Sequence, residues 1–94
     1  MRNHILILGG TAEARQLASR LAERGDADVT LSLAGRTREP ATQPVPVRVG
    51  GFGGPAGLAD YLRAERVALL IDATHPYASQ ISRNAAAAAR QAGM

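Results

Sequence analysis

The stretch His4-Ile5-Leu6-Ile7-Leu8 places four apolar side chains in succession without polar alternation, the pattern of a parallel strand buried on both faces. This strand is predicted to be central in its sheet. Gly9-Gly10-Thr11 interrupts the run, and from Ala12 to Arg24 the period becomes helical: Ala14, Leu17, Ala18, Leu21 and Ala22 share one face, with Arg15, Arg20 and Glu23 outside it. Gly25 is placed to end that helix. Asp28 to Leu33 then alternates Val29, Leu31 and Leu33 with Thr30 and Ser32, which predicts a second strand. Gly35-Arg36-Thr37-Arg38 follows, and Glu39 to Pro46, with three prolines, is expected to be irregular. Val47-Arg48-Val49 reads as a short third strand and Gly50-Gly51-Phe52-Gly53-Gly54 as a flexible loop. Pro55 suits the first turn of a second helix, whose core stripe is Leu58, Tyr61 and Leu62. Val67 to Ile71 is a further apolar strand that runs into Asp72-Ala73-Thr74-His75-Pro76-Tyr77. Ala78 to Gln91 is an alanine-rich helix with Gly93 at its cap.

This order of elements predicts an α/β fold, the first half of a Rossmann-like doubly wound parallel sheet with four strands in the order 3-2-1-4. Right-handed crossovers would bring all four strand C-termini to one edge, so that segments 9–11, 34–38, 50–54 and 72–77 meet at one crevice. The sequence stops one residue after Gly93, where another strand is expected to begin. The expectation is therefore a fragment of a two-domain protein, since the Val67–Ile71 strand would otherwise present a long apolar edge.

Ninety-four residues allow one domain with one modest core. The apolar run Ile5–Leu8 is too short for a signal peptide or a membrane span, and the absence of cysteine suits a reducing, cytoplasmic setting. All eleven basic residues are arginine, and the net charge is +3. They are spread along the chain among only three aromatic residues, which argues against a nucleic-acid surface built on stacking platforms. His4 and His75 have no companion ligands at metal-binding spacing, so no metal site is expected.

Gly9-Gly10-Thr11-Ala12-Glu13-Ala14 departs from the dinucleotide fingerprint G-x-G-x-x-G, with Thr and Ala in place of the later glycines. The physical requirements can still be met. Gly9 permits a tight turn, Gly10 lets backbone approach a phosphate, and Ala14 is small enough for close helix-to-strand packing. Thr11 adds a hydroxyl donor at a helix start, where free N–H groups and the macrodipole favour an anion by about 0.3 to 2 kcal/mol. The other reading of these residues is an ordinary strand-to-helix turn with a threonine cap. Glu13 in the first turn suits the dipole but would repel a diphosphate, so it must point away or serve another ligand.

NAD enzymes usually hold the adenosine ribose with a carboxylate at the end of the second strand. Gly35-Arg36-Thr37-Arg38 offers none there, and Arg36, with Arg38 less directly placed, can instead clamp a 2′-phosphate. The cofactor expected is NADPH. The Gly50–Gly54 loop would let backbone lie against a flat ligand with Phe52 packing or stacking on it, or would act as a mobile linker. Thr74 and His75 leave the fourth strand at the crevice, where His75 could hydrogen-bond cofactor or donate a proton, or be structural.

The run Ile5 to Ala14, the Ala34-Gly35-Arg36-Thr37 turn, Gly50 to Gly54 followed by Gly57-Leu58, and Asp72-Ala73-Thr74-His75-Pro76-Tyr77-Ala78 together resemble the precorrin-6A reductase family. The similarity covers nearly the whole chain, and the last motif behind such a glycine loop is distinctive. The resemblance implies a cytoplasmic enzyme of cobalamin biosynthesis. Such an enzyme uses NADPH to reduce one double bond of the precorrin-6A macrocycle to precorrin-6B, with a second α/β domain beyond this chain and the tetrapyrrole between the halves. It assigns Gly9, Gly10, Thr11, Gly35, Arg36, Thr37, Thr74 and His75 to the cofactor and Tyr77 and Ser79 to the macrocycle. It names no catalytic residue, and the 94 residues alone are expected to bind cofactor weakly and to catalyse nothing. A non-catalytic dinucleotide-sensing domain is the alternative. A short-chain dehydrogenase loses ground because the sequence has no lysine for a Tyr-x-x-x-Lys pair.

Overall fold

In the computed structural model the described residues are 3–33, 44–75 and 78–94. They form β1 (Asn3–Leu8), α1 (Ala12–Arg24), β2 (Ala27–Leu33), β3 (Val47–Val49), α2 (Gly54–Ala64), β4 (Val67–Asp72) and α3 (Ser79–Gln91). The four strands make one sheet in the order β3-β2-β1-β4, and every pairing is parallel. This is the expected topology, with strand and helix ends within a residue or so of the expected ones.

From Ile5 to Leu8 β1 is continuously apolar because it is central and covered on both faces, with Leu6 and Ile7 fully buried. Its odd-numbered side chains, Ile5 and Ile7, join Val29, Leu31 and Leu33 of β2 beneath Ala14 and Ala18 of α1. Its even-numbered side chains, Leu6 and Leu8, pack under Leu58, Ala59 and Leu62 of α2 and Ala85 and Ala88 of α3. The sheet thus separates two apolar layers, one under α1 and one under the α2–α3 pair. Small residues at the contact points let helices approach closely, which is why alanine supplies so much of the buried surface. Ala22, expected on the buried face, is exposed, because α1 meets the sheet through Ala14 and Ala18 with Leu17 and Leu21 partly covered. Tyr61, expected in the core of α2, is only partly buried at the margin of its layer.

Just before β3, Val45 packs against the layer under α1, and the Pro46 carbonyl accepts from Leu31 N at 3.0 Å. α2 then crosses the opposite face to deliver β4 beside β1. At the other end of the sheet His4 is a structural tie. Its Nδ1 lies 3.1 Å from the Glu65 carbonyl and its Nε2 2.9 Å from Thr30 Oγ1. The carbonyl can only accept, so Nδ1 donates and Nε2 accepts from the hydroxyl. β4 forms one edge of the sheet, with Val67 buried and Leu69 47% exposed.

A single row of side chains runs across the whole sheet. Arg48 is paired with Ser32, Ser32 with Leu8, and Leu8 with Asp72. In-register parallel partners project to the same side, so these four side chains lie together under α2 and α3, at the edge where all four strands end.

Candidate functional site

The β1–α1 turn starts at Gly9, whose N–H donates to the Ser32 carbonyl at 2.8 Å and so extends the strand pairing by one residue. A Cβ at Gly9 would stand 2.5 Å from Leu31 Cδ1 and 3.4 Å from Ala14 Cβ. Glycine is needed here because α1 and β2 close over the position. Gly10 has a different reason: its φ is +114°, and nothing lies within 4 Å of where its Cβ would be. It is a left-handed turn residue that faces open space.

Thr11 caps α1. Its Oγ1 accepts from Ala14 N at 3.1 Å and donates to the Ala73 carbonyl at 2.7 Å. The hydroxyl expected to offer a hydrogen bond to an anion therefore spends its proton inside the protein, on the segment that leaves β4. The donors that remain are the other first-turn N–H groups, backed by the helix dipole. Glu13 is exposed in that turn.

At the end of β4, Ala73 N donates to the Leu8 carbonyl at 2.9 Å. The Asp72 carboxylate accepts from Thr74 N at 3.1 Å, from Thr74 Oγ1 at 2.5 Å and from Ser82 Oγ on α3. Burial pushes the Asp72 pKa upward, but the bonds from Ser82 and Thr74 outweigh it and hold the carboxyl below its ordinary value of 3.8. A carboxylate that accepts several hydrogen bonds is stabilised in its charged form. Asp72 thus fastens the start of the 72–78 segment to the first turn of α3.

The Gly50–Gly54 segment, expected to be flexible, is tethered. Arg48 donates to the carbonyls of Gly50 at 2.8 Å and Gly51 at 3.0 Å, and its guanidinium lies 3.7 Å from the centre of the Phe52 ring. Phe52 meets Tyr61 edge-on with centroids 5.1 Å apart. One face of Phe52 is therefore taken by Arg48, which limits the stacking surface the sequence suggested for it.

Between this loop, the ends of β1 and β2, and α3 lies a cleft of about 160 Å³, lined by Leu8, Gly9, Ser32, Gly50 to Gly54, Leu58, Thr74, Ile81 and Asn84. Of the residues expected to bind ligand, Gly9 and Thr74 line it. Gly10 and Thr11 continue directly from Gly9 at the helix start. His75 and Ser79 are exposed and are not part of the lining. Gly35, Arg36, Thr37, Arg38 and Tyr77 lie outside the described residues. Ser32, Asn84 and Arg48 escaped the sequence reading. Ser32 sits at a polar position of an alternating strand and looks like a solvent-facing residue, but it is buried beside the Gly50–Gly54 loop. Asn84 looks like an ordinary polar residue of an exposed helix face.

A family model described as precorrin-6x reductase CbiJ/CobK matches residues 4–94. The chain belongs to the precorrin-6x reductase family. It is 60% identical over 90 residues to a precorrin-6A reductase of Sinorhizobium sp and 56% identical over 90 residues to one of Rhodobacter capsulatus; each alignment covers 96% of this chain, and 34% and 36% of the relatives. A cobalt-precorrin-6A reductase of Priestia megaterium is 32% identical over 88 residues, covering 93% of this chain and 34% of the relative. A solved structure of CobK precorrin-6A reductase superposes with a TM-score of 0.92 at 54% identity, over 98% of this chain and 36% of that one. The chain thus spans about a third of the length of the reductases it matches. Every element from β1 to α3 falls within the span that precorrin-6x reductases share with it.

Proposed function

We propose that this chain is the NADPH-binding portion of a precorrin-6A reductase, an oxidoreductase that acts in the cytoplasm on the precorrin-6A macrocycle during cobalamin biosynthesis. The observation that carries this reading is the high identity, over nearly the whole chain, to curated precorrin-6A reductases. The residues present fit a dinucleotide. Gly10 leaves its backbone open where a Cβ would otherwise stand, directly before the N-terminus of a 13-residue helix. That arrangement of exposed N–H groups and aligned dipoles suits a diphosphate.

In this reading NADPH, when bound, supplies a hydride that adds with a proton across one carbon–carbon double bond of the macrocycle to give precorrin-6B. The chain's own residues bind and position. Gly9 and Gly10, with the first turn of α1, hold the diphosphate; Arg36, with Gly35 and Thr37, takes the 2′-phosphate in place of the carboxylate of NAD enzymes. Thr74, held by Asp72, and His75 flank the cofactor at the end of β4. Tyr77 and Ser79 face the macrocycle, which also contacts the second domain that such reductases carry.

The test is an assay of the intact protein with NADPH and precorrin-6A. Oxidation of the nucleotide, matched by a product two hydrogens heavier than the substrate, is the expected result. Nucleotide binding with no turnover would overturn the enzyme assignment and leave a dinucleotide-sensing domain.

A further inference from the structure

Asp72 links a residue of the cleft to a residue outside it. Its Oδ1 accepts from Thr74 N at 3.1 Å and from Thr74 Oγ1 at 2.5 Å, and its Oδ2 accepts from Ser82 Oγ on α3. These bonds favour the ionised carboxyl, and a carboxylate can only accept, so both hydroxyl protons point at Asp72. Thr74 lines the cleft beside Gly9, whereas Ser82 and Asp72 line the groove between β4 and α3. The backbone between Asp72 and Thr74 is pinned separately. Ala73 N donates to the Leu8 carbonyl at 2.9 Å, and the Ala73 carbonyl accepts from Thr11 Oγ1 at 2.7 Å. What those bonds leave open is the turn of the Asp72 carboxyl group and of the Thr74 side chain. The terminal torsion of an aspartate is broad, so an anchor on Oδ2 decides which way Oδ1 faces. A serine inside a helix commonly turns its hydroxyl onto the carbonyl four residues back; here it reaches across to the end of β4.

We propose that Ser82 is a positioning residue for the reductase reaction: through Asp72 it holds Thr74 with its hydroxyl proton turned into the protein and its oxygen lone pairs free for the cleft. The inference rests on the reductase reading, in which Thr74 meets the bound ligands and Ser82 acts at one remove. The remaining groove residues around Ser82, among them Leu70, Ala85, Ala86 and Ala89, carry no polar side chain that competes with Asp72 for its hydroxyl. With its own proton committed to Asp72, Thr74 can take an N–H or O–H donor and offers nothing to a carbonyl, carboxylate or phosphate oxygen. An acceptor placed against it would be left unpaired, which disfavours that pose. The carboxamide of a nicotinamide and the ring nitrogens of a tetrapyrrole both present N–H groups. The shared chemistry is an N–H donor, and the substrate whose KM responds identifies its source.

The experiment is steady-state kinetics of the intact protein and of its Ser82→Ala, Ser82→Thr, Thr74→Val and combined Ser82→Ala with Thr74→Val variants. NADPH and precorrin-6A are varied in turn, and melting temperatures are measured alongside. Ser82→Ala is expected to raise one of the two KM values about 3- to 10-fold, the effect of one net hydrogen bond, with kcat close to the parent's. Alanine suits a helix at least as well as serine, so α3 stays folded. Ser82→Thr, which keeps the hydroxyl, should recover most of the loss. The combined variant decides: if Ser82 acts through Thr74, its removal adds nothing once Thr74 has lost its hydroxyl. Three results overturn the proposal and leave the reductase reading standing: losses that multiply in the combined variant, parental KM values in Ser82→Ala, or a joint fall of kcat and melting temperature with KM unchanged. A parent protein that does not turn over precorrin-6A with NADPH removes that reading and the proposal with it.

Discussion

The hydroxyl of Thr11 donates to the carbonyl of Ala73 at 2.7 Å across the strand ends. One side chain therefore caps the first helix and ties it to the segment that leaves the fourth strand. Two of the loops assigned to the cofactor are thus held in fixed relation before any ligand arrives.

Removing that tie should be felt in stability. Loss of a threonine N-cap costs about 0.5 to 2 kcal/mol, and the Ala73 carbonyl would lose its donor as well. Thr11→Ala is expected to destabilise by roughly 1 to 2 kcal/mol on that basis, whereas Thr11→Ser keeps both bonds and stays near the parent. Urea unfolding of the two variants measures the difference. Equal losses would mean that the threonine methyl, not its hydroxyl, supports the turn.

Gly9 and Gly10 should respond to alanine for separate reasons. At Gly9 the new methyl meets the buried Leu31 side chain at 2.5 Å, and overpacking of that kind costs about 1 to 3 kcal/mol. A second change, Leu31→Val, should recover part of it if the clash is the cause. At Gly10 there is room, so the cost comes from φ +114°, and the methyl would also project into the space assigned to the diphosphate. Denaturation combined with NADPH titration separates the two: Gly9→Ala chiefly loses stability, while Gly10→Ala loses cofactor affinity in addition.

Asp72 gives a pH dependence with a definite sign. Its folded-state pKa is depressed below 3.8, since the bonds from Ser82 and Thr74 prevail over burial. A depressed carboxyl contributes stability that is present above its unfolded pKa and is lost as the pH falls through the folded value. The loss should therefore appear only on acidification below about pH 4. Asp72→Asn should remove that part of the acid dependence, and stability measured between neutral pH and pH 3 in both proteins checks it. Identical acid profiles would show that Asp72 does not titrate differently in the folded state.

Arg48 is expected to control the order of the glycine segment. Arg48→Ala removes two charge-assisted bonds and the contact over Phe52, and amide hydrogen exchange at residues 50–54 should accelerate as those carbonyls and the ring are released. Arg48→Lys should restore little, because an ammonium cannot reproduce the planar two-pronged donation. Unaltered exchange in both variants would show that the loop is held by something else.

The fold was legible because hydrophobic period and glycine punctuation agreed at every element. An unbroken apolar run marked β1 as central, a change to helical period after Gly10 marked α1, and Pro55 marked the start of α2. The site was legible only in part. Gly9 and Thr74 stood out because they occupy the ends of strands in a known topology. Ser32 did not, since alternation along β2 says which side chains share a face but not that the polar one will be buried. Arg48 looked like a solvated strand residue because its partners are carbonyls of its own loop, and backbone acceptors leave no trace in sequence. Thr11 was recognised as important, but the destination of its proton depends on Ala73, sixty-two positions away.

The central claim is that this chain holds the adenosine half of NADPH, with Arg36 reading the 2′-phosphate. Titrating the intact protein and its Arg36→Ala variant with NADPH and with NADH tests it most directly. A charge-assisted contact supplies about 1.5 to 3 kcal/mol, so the variant should bind NADPH roughly 10- to 150-fold more weakly while NADH affinity stays the same. Equal weakening of both nucleotides, or no change in either, would contradict the account.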